Sequence, residues 1–379
     1  MKQGYLAPKI VLVGGWDPSS PRGVQLTGVF HALGSEVHDH THPVFKHNVG
    51  AQASSPTKLA GFVGRRLLAL LINGLQLIFL SLRCNHAIFI VGYLGFLDVF
   101  ILRCCRLWFR GSVIYDPYIS MYDTIVMDRE IIAEGGIPAR ILRRCEMLVF
   151  RSADLVLVDT VESGRLYSTI AKRELRVVEL PVLPPEHLFQ LTGSPVAPTK
   201  YKRIKVLYFG NYVPLHGCSV IVRALEKLRS WDVPFEASFI GDGQDRKETE
   251  LLARNLNLDI KFLESVELDN LIEHIDASDL IFGVFGKSAK ASRVVPNKVW
   301  LAAYRRRPVI SLYSSAVERQ LGTGVIFTQS PDPVELASVI RNVMESGFPA
   351  SFQFLAHPRQ SDVAERELST WLQDQAPHC

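Results

Sequence analysis

A β-strand pattern that ends on a glycine and leads into a helix pattern occurs twice in this chain, about two hundred residues apart. Lys9-Ile10-Val11-Leu12-Val13 ends on Gly14-Gly15, and after Pro18 to Gly23 a helix with apolar spacing is predicted over Val24 to Leu33. Ile204 to Phe209 ends on Gly210-Asn211, with a helix predicted from about Cys218 to Leu228. A second echo links Ala153-Asp154-Leu155-Val156-Leu157 to Ser278-Asp279-Leu280-Ile281-Phe282. Strand, glycine turn, helix opens a nucleotide-type α/β unit, so the duplication predicts two doubly wound parallel-sheet domains. A chain of 379 residues that is 47% hydrophobic has the material for two cores.

Further strands are predicted at Glu36 to His40, Ala87 to Val91, Val113 to Tyr115 and Leu155 to Val158. In the second half they fall at Ala237 to Ile240, Ile260 to Leu263, Leu280 to Val284, Val309 to Leu312 and Val325 to Phe327. Pro181 to Arg203 carries five prolines without clear periodicity and reads as a linker. The predicted domains are residues 1–190 and 200–357. The last helix, about Asp362 to Gln373, has no packing surface legible in the sequence, and residues 358–379 are read as an addition to the N-terminal domain.

Met1 to Gln190 holds 20 Lys and Arg against 16 Asp and Glu, and the remainder holds 22 against 22, so the net +4 lies wholly in the first half. That excess suits an acidic surface or substrate and is too mild for nucleic acid. Cys84, Cys104, Cys105, Cys145, Cys218 and Cys379 show no paired spacing, so neither a metal site nor a disulfide framework is expected. With no apolar leader before Lys9, the expected location is cytoplasmic. Leu67 to Leu82 is the most apolar helix, preceded by Arg65 and Arg66 and followed by Arg83. It is shorter than the roughly 20 residues of a membrane span, which leaves a buried helix or one lying on the cytoplasmic leaflet, its arginines at lipid phosphates. Leu94 to Arg110, with Arg103, Arg106 and Arg110 at helical spacing, favours peripheral membrane contact.

The chemistry concentrates in Ser292 to Leu312. Pro296 suits a helix start, Asn297 and Lys298 fall in the first turn, and Pro308 stops the helix before a buried strand. Amides, an amide side chain and an ammonium at one helix start make a phosphate-binding constellation, although the same pattern also suits a plain helix with a solvated basic end. Open parallel sheets bind ligands beyond the carboxyl ends of their strands. The loops Gly210 to Gly217, which includes His216, and Gly241-Asp242-Gly243 are therefore candidates too, each with an ordinary structural reading as loop histidine or turn.

These residues resemble the family 4 glycosyltransferases, which have the GT-B fold of two Rossmann-like domains facing across a cleft. The resemblance rests on Leu207-Tyr208-Phe209-Gly210, Pro214-Leu215-His216-Gly217, Ile240-Gly241-Asp242-Gly243, Ala277-Ser278-Asp279-Leu280, and Val295-Pro296-Asn297-Lys298 through Arg307-Pro308-Val309-Ile310. In the first half, Tyr115-Asp116-Pro117, Tyr122-Asp123-Thr124 and Ala153 to Thr160 are similar to the family's acceptor domain. The resemblance implies retaining, metal-independent transfer from a nucleotide-diphosphate sugar, with no cofactor, to a glycan or lipid-linked acceptor at the cytoplasmic membrane face. It implies a donor diphosphate near Gly210, Asn211, His216, Gly217 and the helix at Asn297-Lys298. Gly241, Asp242, Gly243 and Arg293 belong to the same binding set, and Gly14-Gly15 would approach from the other domain. Asp116, near the family's usual catalytic histidine, would orient acceptor or sugar; a loop or cap aspartate is its structural alternative.

The chain departs from the family pattern at several positions. Asn211 and His216 stand where Arg and Lys are usual, Arg293 and Leu301 where two glutamates are usual, and Arg306 where glycine is usual. The lost carboxylates keep open a second reading, a non-catalytic GT-B protein that binds or scaffolds in glycan assembly.

Overall fold

The central strands of both halves are apolar on both faces, and the fold uses both faces. The computed structural model describes residues 9–15, 20–41, 72–93, 95–189, 203–354 and 360–375. They form two units: one comprises residues up to Tyr122, Gly135–Val182 and from Arg359 onward; the other comprises Asp123–Glu134 and Leu183–Pro358.

The first unit is built on a six-stranded parallel sheet of order β2-β1-β3-β4-β5-β6. Its strands are β1 (Ile10–Val13), β2 (Val37–Asp39), β3 (Ile88–Val91), β4 (Ser112–Tyr115), β5 (Leu155–Val158) and β6 (Val177–Glu179). Because side chains alternate along a strand, Val11, Val13, Phe89, Val91, Val113 and Tyr115 face one layer, and Ile10, Leu12, Ile88, Ile90 and Ile114 the other. The first layer holds α2 (residues 72–83), α3 (Phe96–Cys104), α4 (Ile137–Ser152) and α5 (Val161–Ala171) through Leu77, Leu102, Phe150 and Tyr167. The second is covered by α1 (Pro21–Ala32) and, from the far end of the chain, α12 (Gln360–Gln375), with Ala364, Leu368, Trp371 and Leu372 against Leu26 and Phe30. Helix α1 starts three residues before its apolar pattern, because Pro21 presets the first turn and the Ser20 hydroxyl accepts from the Gly23 amide.

The second unit repeats the plan with order β12-β11-β10-β7-β8-β9, all parallel. The strands are β7 (Ile204–Phe209), β8 (Phe235–Ile240), β9 (Ile260–Leu263), β10 (Leu280–Phe282), β11 (Val309–Leu312) and β12 (Val325–Thr328). One face packs α6 (Cys218–Ser230) and α11 (Pro333–Ser346), with α7 (Arg246–Asn255) alongside. The other packs α8 (Leu268–Asp276), α9 (Asn297–Tyr304) and α10 (Ser315–Leu321). The order reverses between β10 and β7, and this switch point lies where the conspicuous loops converge.

Two findings differ from the sequence reading. The front of the predicted linker, Leu183 to Phe189, is packed structure: Leu188 is buried in the core of the second unit. Its apolar side chains have no periodicity because they fill a ready-made surface instead of forming a face of their own. The second finding is that Asp123–Asp128, a π-helical turn in the first half of the sequence, belongs to the second unit. Residues 1–8, 16–19, 42–71, 94, 190–202, 355–359 and 376–379 lie outside the described residues, and with them the starts of the Leu67 to Leu82 and Leu94 to Arg110 stretches and Cys379.

Candidate functional site

Helix α9 begins one residue later than Pro296, which sits at the N-cap with extended backbone. Asn297 is therefore the first helical residue and is exposed, while Lys298 turns inward and is buried. Its ammonium lies 4.1 Å from the centre of the Tyr208 ring, and Nζ has no hydrogen-bond partner. Burial pulls this amine down from its usual 10.5 to about 7.

The same side chain reaches the end of β7. A Cβ placed on Gly210 would lie 3.5 Å from Lys298 Cε and 3.6 Å from His216 Cε1, so the three residues converge on one space. Gly210 has φ of +126°, which only glycine adopts cheaply. His216 ends the 3-10 turn Pro214–His216 and is buried. Its Nδ1 faces the Asn211 carbonyl and, at 2.9 Å, the Tyr208 hydroxyl, which itself donates to that carbonyl at 2.8 Å. A carbonyl can only accept, so Nδ1 carries the proton and Nε2 keeps a lone pair. Burial, then the neighbouring Lys298 charge, hold the imidazole well below its ordinary pKa, so it is neutral.

Gly241 and Gly243 support this loop by permitting close backbone approach. A Cβ on Gly241 would stand 2.2 Å from the Gly210 oxygen, and one on Gly243 would stand 2.6 Å from the Tyr212 nitrogen. Asp242 is exposed and accepts from the Gly243 amide at 2.7 Å. Asn211 acts through its carbonyl, its side chain being exposed. Gly217 caps the 3-10 turn at φ of +62° and packs on Phe285 and Gly286.

Arg293 forms an ion pair with Asp123. Beside it Lys290 Nζ donates to Thr124 Oγ1 at 2.7 Å, and Ser288 Oγ donates to Asp128 Oδ1 at 2.8 Å. Three consecutive bonds thus fasten the Asp123–Asp128 turn to the loop before α9. Lys290 was missed by sequence reasoning, and Tyr122-Asp123-Thr124 was read only as part of the first-half motifs. Leu301 is buried among apolar side chains in the same cluster as Leu188.

In the first unit Asp116 ends β4 but is not open to a ligand. Both its oxygens are taken by Arg22, at 2.8 and 2.9 Å, and it is 1% exposed. Asp116 is an ion-pair partner that ties α1 to the sheet, and Arg22 also donates to the Leu180 carbonyl. Asp159, beside Arg22 at the end of β5, has its carboxyl pushed up to about 6 by burial. Gly14, at φ of +95°, packs its turn against Gly92, and Gly15 follows it within that turn.

Two parallel six-stranded sheets of this kind, flanked by helices, make the GT-B fold. Residues 203–346, within the second unit, match the family model described as glycosyl transferases group 1. Among solved structures, Anabaena HepE in complex with UDP and glucose superposes with a TM-score of 0.59 at 14% identity, over 97% of this chain and 99% of that one. A glycosyltransferase from Rickettsia africae gives 0.63 at 12% identity, over 99% and 100%. Sucrose-phosphate synthase from Thermosynechococcus elongatus gives 0.61 at 14%, over 97% and 94%. At these identities the likeness is one of fold. No curated protein matches the sequence.

Proposed function

We propose that the protein transfers a sugar, with retention and without metal or cofactor, from a nucleotide diphosphate to a lipid-linked or cell-surface glycan acceptor at the cytoplasmic membrane face. The observation that carries this reading is the buried, unpartnered Lys298 amine meeting His216 over Gly210 at the switch point of the sheet. A buried cation without a counter-charge is costly, and a diphosphate supplies that charge. Protonated Lys298 then stabilises the charge that develops on the leaving phosphate as the sugar departs. HepE binding UDP and glucose on the same fold supports a sugar nucleotide as ligand.

Calorimetric titration with UDP, GDP, ADP, CDP and dTDP tests the donor site. Micromolar binding of one nucleotide, lost in Lys298→Ala, is the expected result. Proton NMR of the product's anomeric signal tests retention, and activity that survives EDTA tests the absence of metal.

The membrane face is supported by the first unit. Ile72, Leu75, Phe79 and Leu82 lie exposed along one side of α2, and Leu97, Leu107 and Trp108 are exposed nearby in sequence on and after α3. The Trp108 indole donates to Ser81 of α2, and Gly74 of α2 lies against Ile101 of α3. Helix α4, which packs on α3, exposes Ile137, Ile141 and Leu148 with Arg140, Arg143, Arg144 and Arg151. Apolar side chains among arginines suit the headgroup region of an anionic leaflet. Among the described residues no helix is long and apolar enough to cross a membrane.

Arg293 held by Asp123, and Leu301 buried in the core, favour the second reading of a non-catalytic partner in glycan assembly. Nucleotide-dependent transfer of any sugar would eliminate it.

A further inference from the structure

A diphosphate at neutral pH offers oxygen lone pairs and almost no hydrogens, so the groups that hold it must be cations or N–H and O–H donors. Lys298 meets that requirement, and the His216 ring does not. The Nδ1–H of His216 is committed to the Asn211 carbonyl and to the Tyr208 hydroxyl, whose own proton goes to the same carbonyl at 2.8 Å. Nε2 is then a bare lone pair, and among the described residues it has no hydrogen-bond partner. Cε1, the carbon bonded to Nε2, borders the space over Gly210 that Lys298 also reaches.

Protonation would turn Nε2 into a donor, and the surroundings oppose it. The charged side chains acting on the ring are Lys298 of α9 and Lys290 of the 3-10 turn before it, both cations. Tyr208 of β7 and, beside its hydroxyl, the Cys218 thiol at the start of α6 are both pushed up by burial and so uncharged. No carboxylate is among the groups that shift the ring. Tyr208 is wholly buried against Tyr212 and Phe239, so its hydroxyl is fixed where it pins Nδ1. Turning the ring over would set a C–H against the Asn211 carbonyl. A buried lone pair without a donor costs free energy, and a ligand hydroxyl removes that cost. A nucleotide sugar carries hydroxyls on both sides of its diphosphate, on the ribose and on the transferred sugar.

We infer that His216 reads the donor through a hydroxyl: Nε2 accepts a hydrogen bond from a hydroxyl of the ribose or of the transferred sugar, while Lys298 meets the charge of the diphosphate. The inference rests on the proposed donor site and makes His216 a determinant of which nucleotide sugar that site takes.

Long-range proton–nitrogen NMR of the histidine-labelled full chain reads the ring directly, with His216→Gln identifying its signals. The expected result at neutral pH is a neutral ring with its proton on Nδ1, still neutral after pyrophosphate is added. Calorimetry then compares UDP and GDP with their 2′-deoxy and 3′-deoxy forms, and with UDP-glucose and GDP-mannose, in the wild type and in His216→Phe, whose folding is checked by thermal unfolding. In the wild type, loss of the bound hydroxyl should weaken binding about five- to a hundredfold, because the lone pair is left buried and unpaired. In His216→Phe that difference should vanish. A preference for ribo- over deoxynucleotide locates the hydroxyl on the ribose, and a gain of sugar nucleotide over bare nucleotide locates it on the sugar. An imidazolium or a proton on Nε2 in the nucleotide complex, a wild type indifferent to every one of these hydroxyls, or a preference that His216→Phe retains would overturn the inference and leave the donor site standing. If His216→Phe does not fold, the state of the ring in the complex with UDP or GDP decides. A folded wild type that binds neither nucleotide nor sugar nucleotide would sink the donor reading itself, and this inference with it.

Discussion

Lys298 is where one side chain decides most. With the amine at about 7, the free site is only partly charged at neutral pH, and an anion raises that value by favouring the protonated form. Diphosphate affinity is therefore expected to be constant below pH 7 and to fall, by at most tenfold per unit, as pH rises above it. Titration from pH 6 to 9 in buffers of different ionisation enthalpy, which reports proton uptake, checks this. The folded value is depressed from 10.5, so between about 7 and 10.5 the unfolded chain binds more protons and stability rises with pH. Lys298→Met should remove that dependence, stabilise the protein by about 1–3 kcal/mol at pH 7 in chemical denaturation and abolish nucleotide binding. A variant that binds UDP or GDP normally would show that the amine is structural. Lys298 and its helix start were legible in the sequence, because a proline, a polar residue and a lysine in sequence have local consequences. Its inward direction was not, since burial is decided by Tyr208 and His216 from another strand and loop.

At the scale of the element, helix ends and faces follow local chemistry while partners do not. Arg306 adopts φ of +52° just after α9, the left-handed position at which glycine costs nothing. Arg306→Gly should therefore stabilise the fold by about 1 kcal/mol, less its contact over the Phe354 ring, and urea denaturation measures it. The strain was foreseeable from the resemblance, which puts glycine where Arg306 stands. Helix α12 is the opposite case. Its apolar residues are plain in the sequence, yet only the assembled sheet shows that Trp371 and Leu368 cover the face of β1 and β3 beside Leu26. Trp371→Ala should cost about 3–5 kcal/mol and lower the thermal midpoint accordingly.

For the whole molecule, the uneven charge acquires a place. The basic excess of the first half includes the arginines exposed on α3 and α4, beside the apolar side of α2. Flotation with phosphatidylglycerol vesicles should recover the protein, phosphatidylcholine vesicles should recover much less, and 0.5 M salt should weaken the first interaction because exposed charges are screened. Replacing Arg140, Arg143 and Arg144 with glutamine should reduce flotation severalfold without altering nucleotide titration. Equal recovery from both vesicle types would remove the membrane from the proposed function.

The sequence by itself determined the two parallel α/β units, most strand positions, and the loops at Gly210 and Lys298. These follow from hydrophobic period, glycine turns and capping, which act over a few residues. Tertiary structure decided that Asp116 is bound to Arg22, that Arg293 is bound to Asp123, that Ser288 is bound to Asp128, and that Leu188 is core. Each of these pairs residues dozens to more than a hundred positions apart. Which charge neutralises which depends on the packing of surfaces that no local pattern encodes.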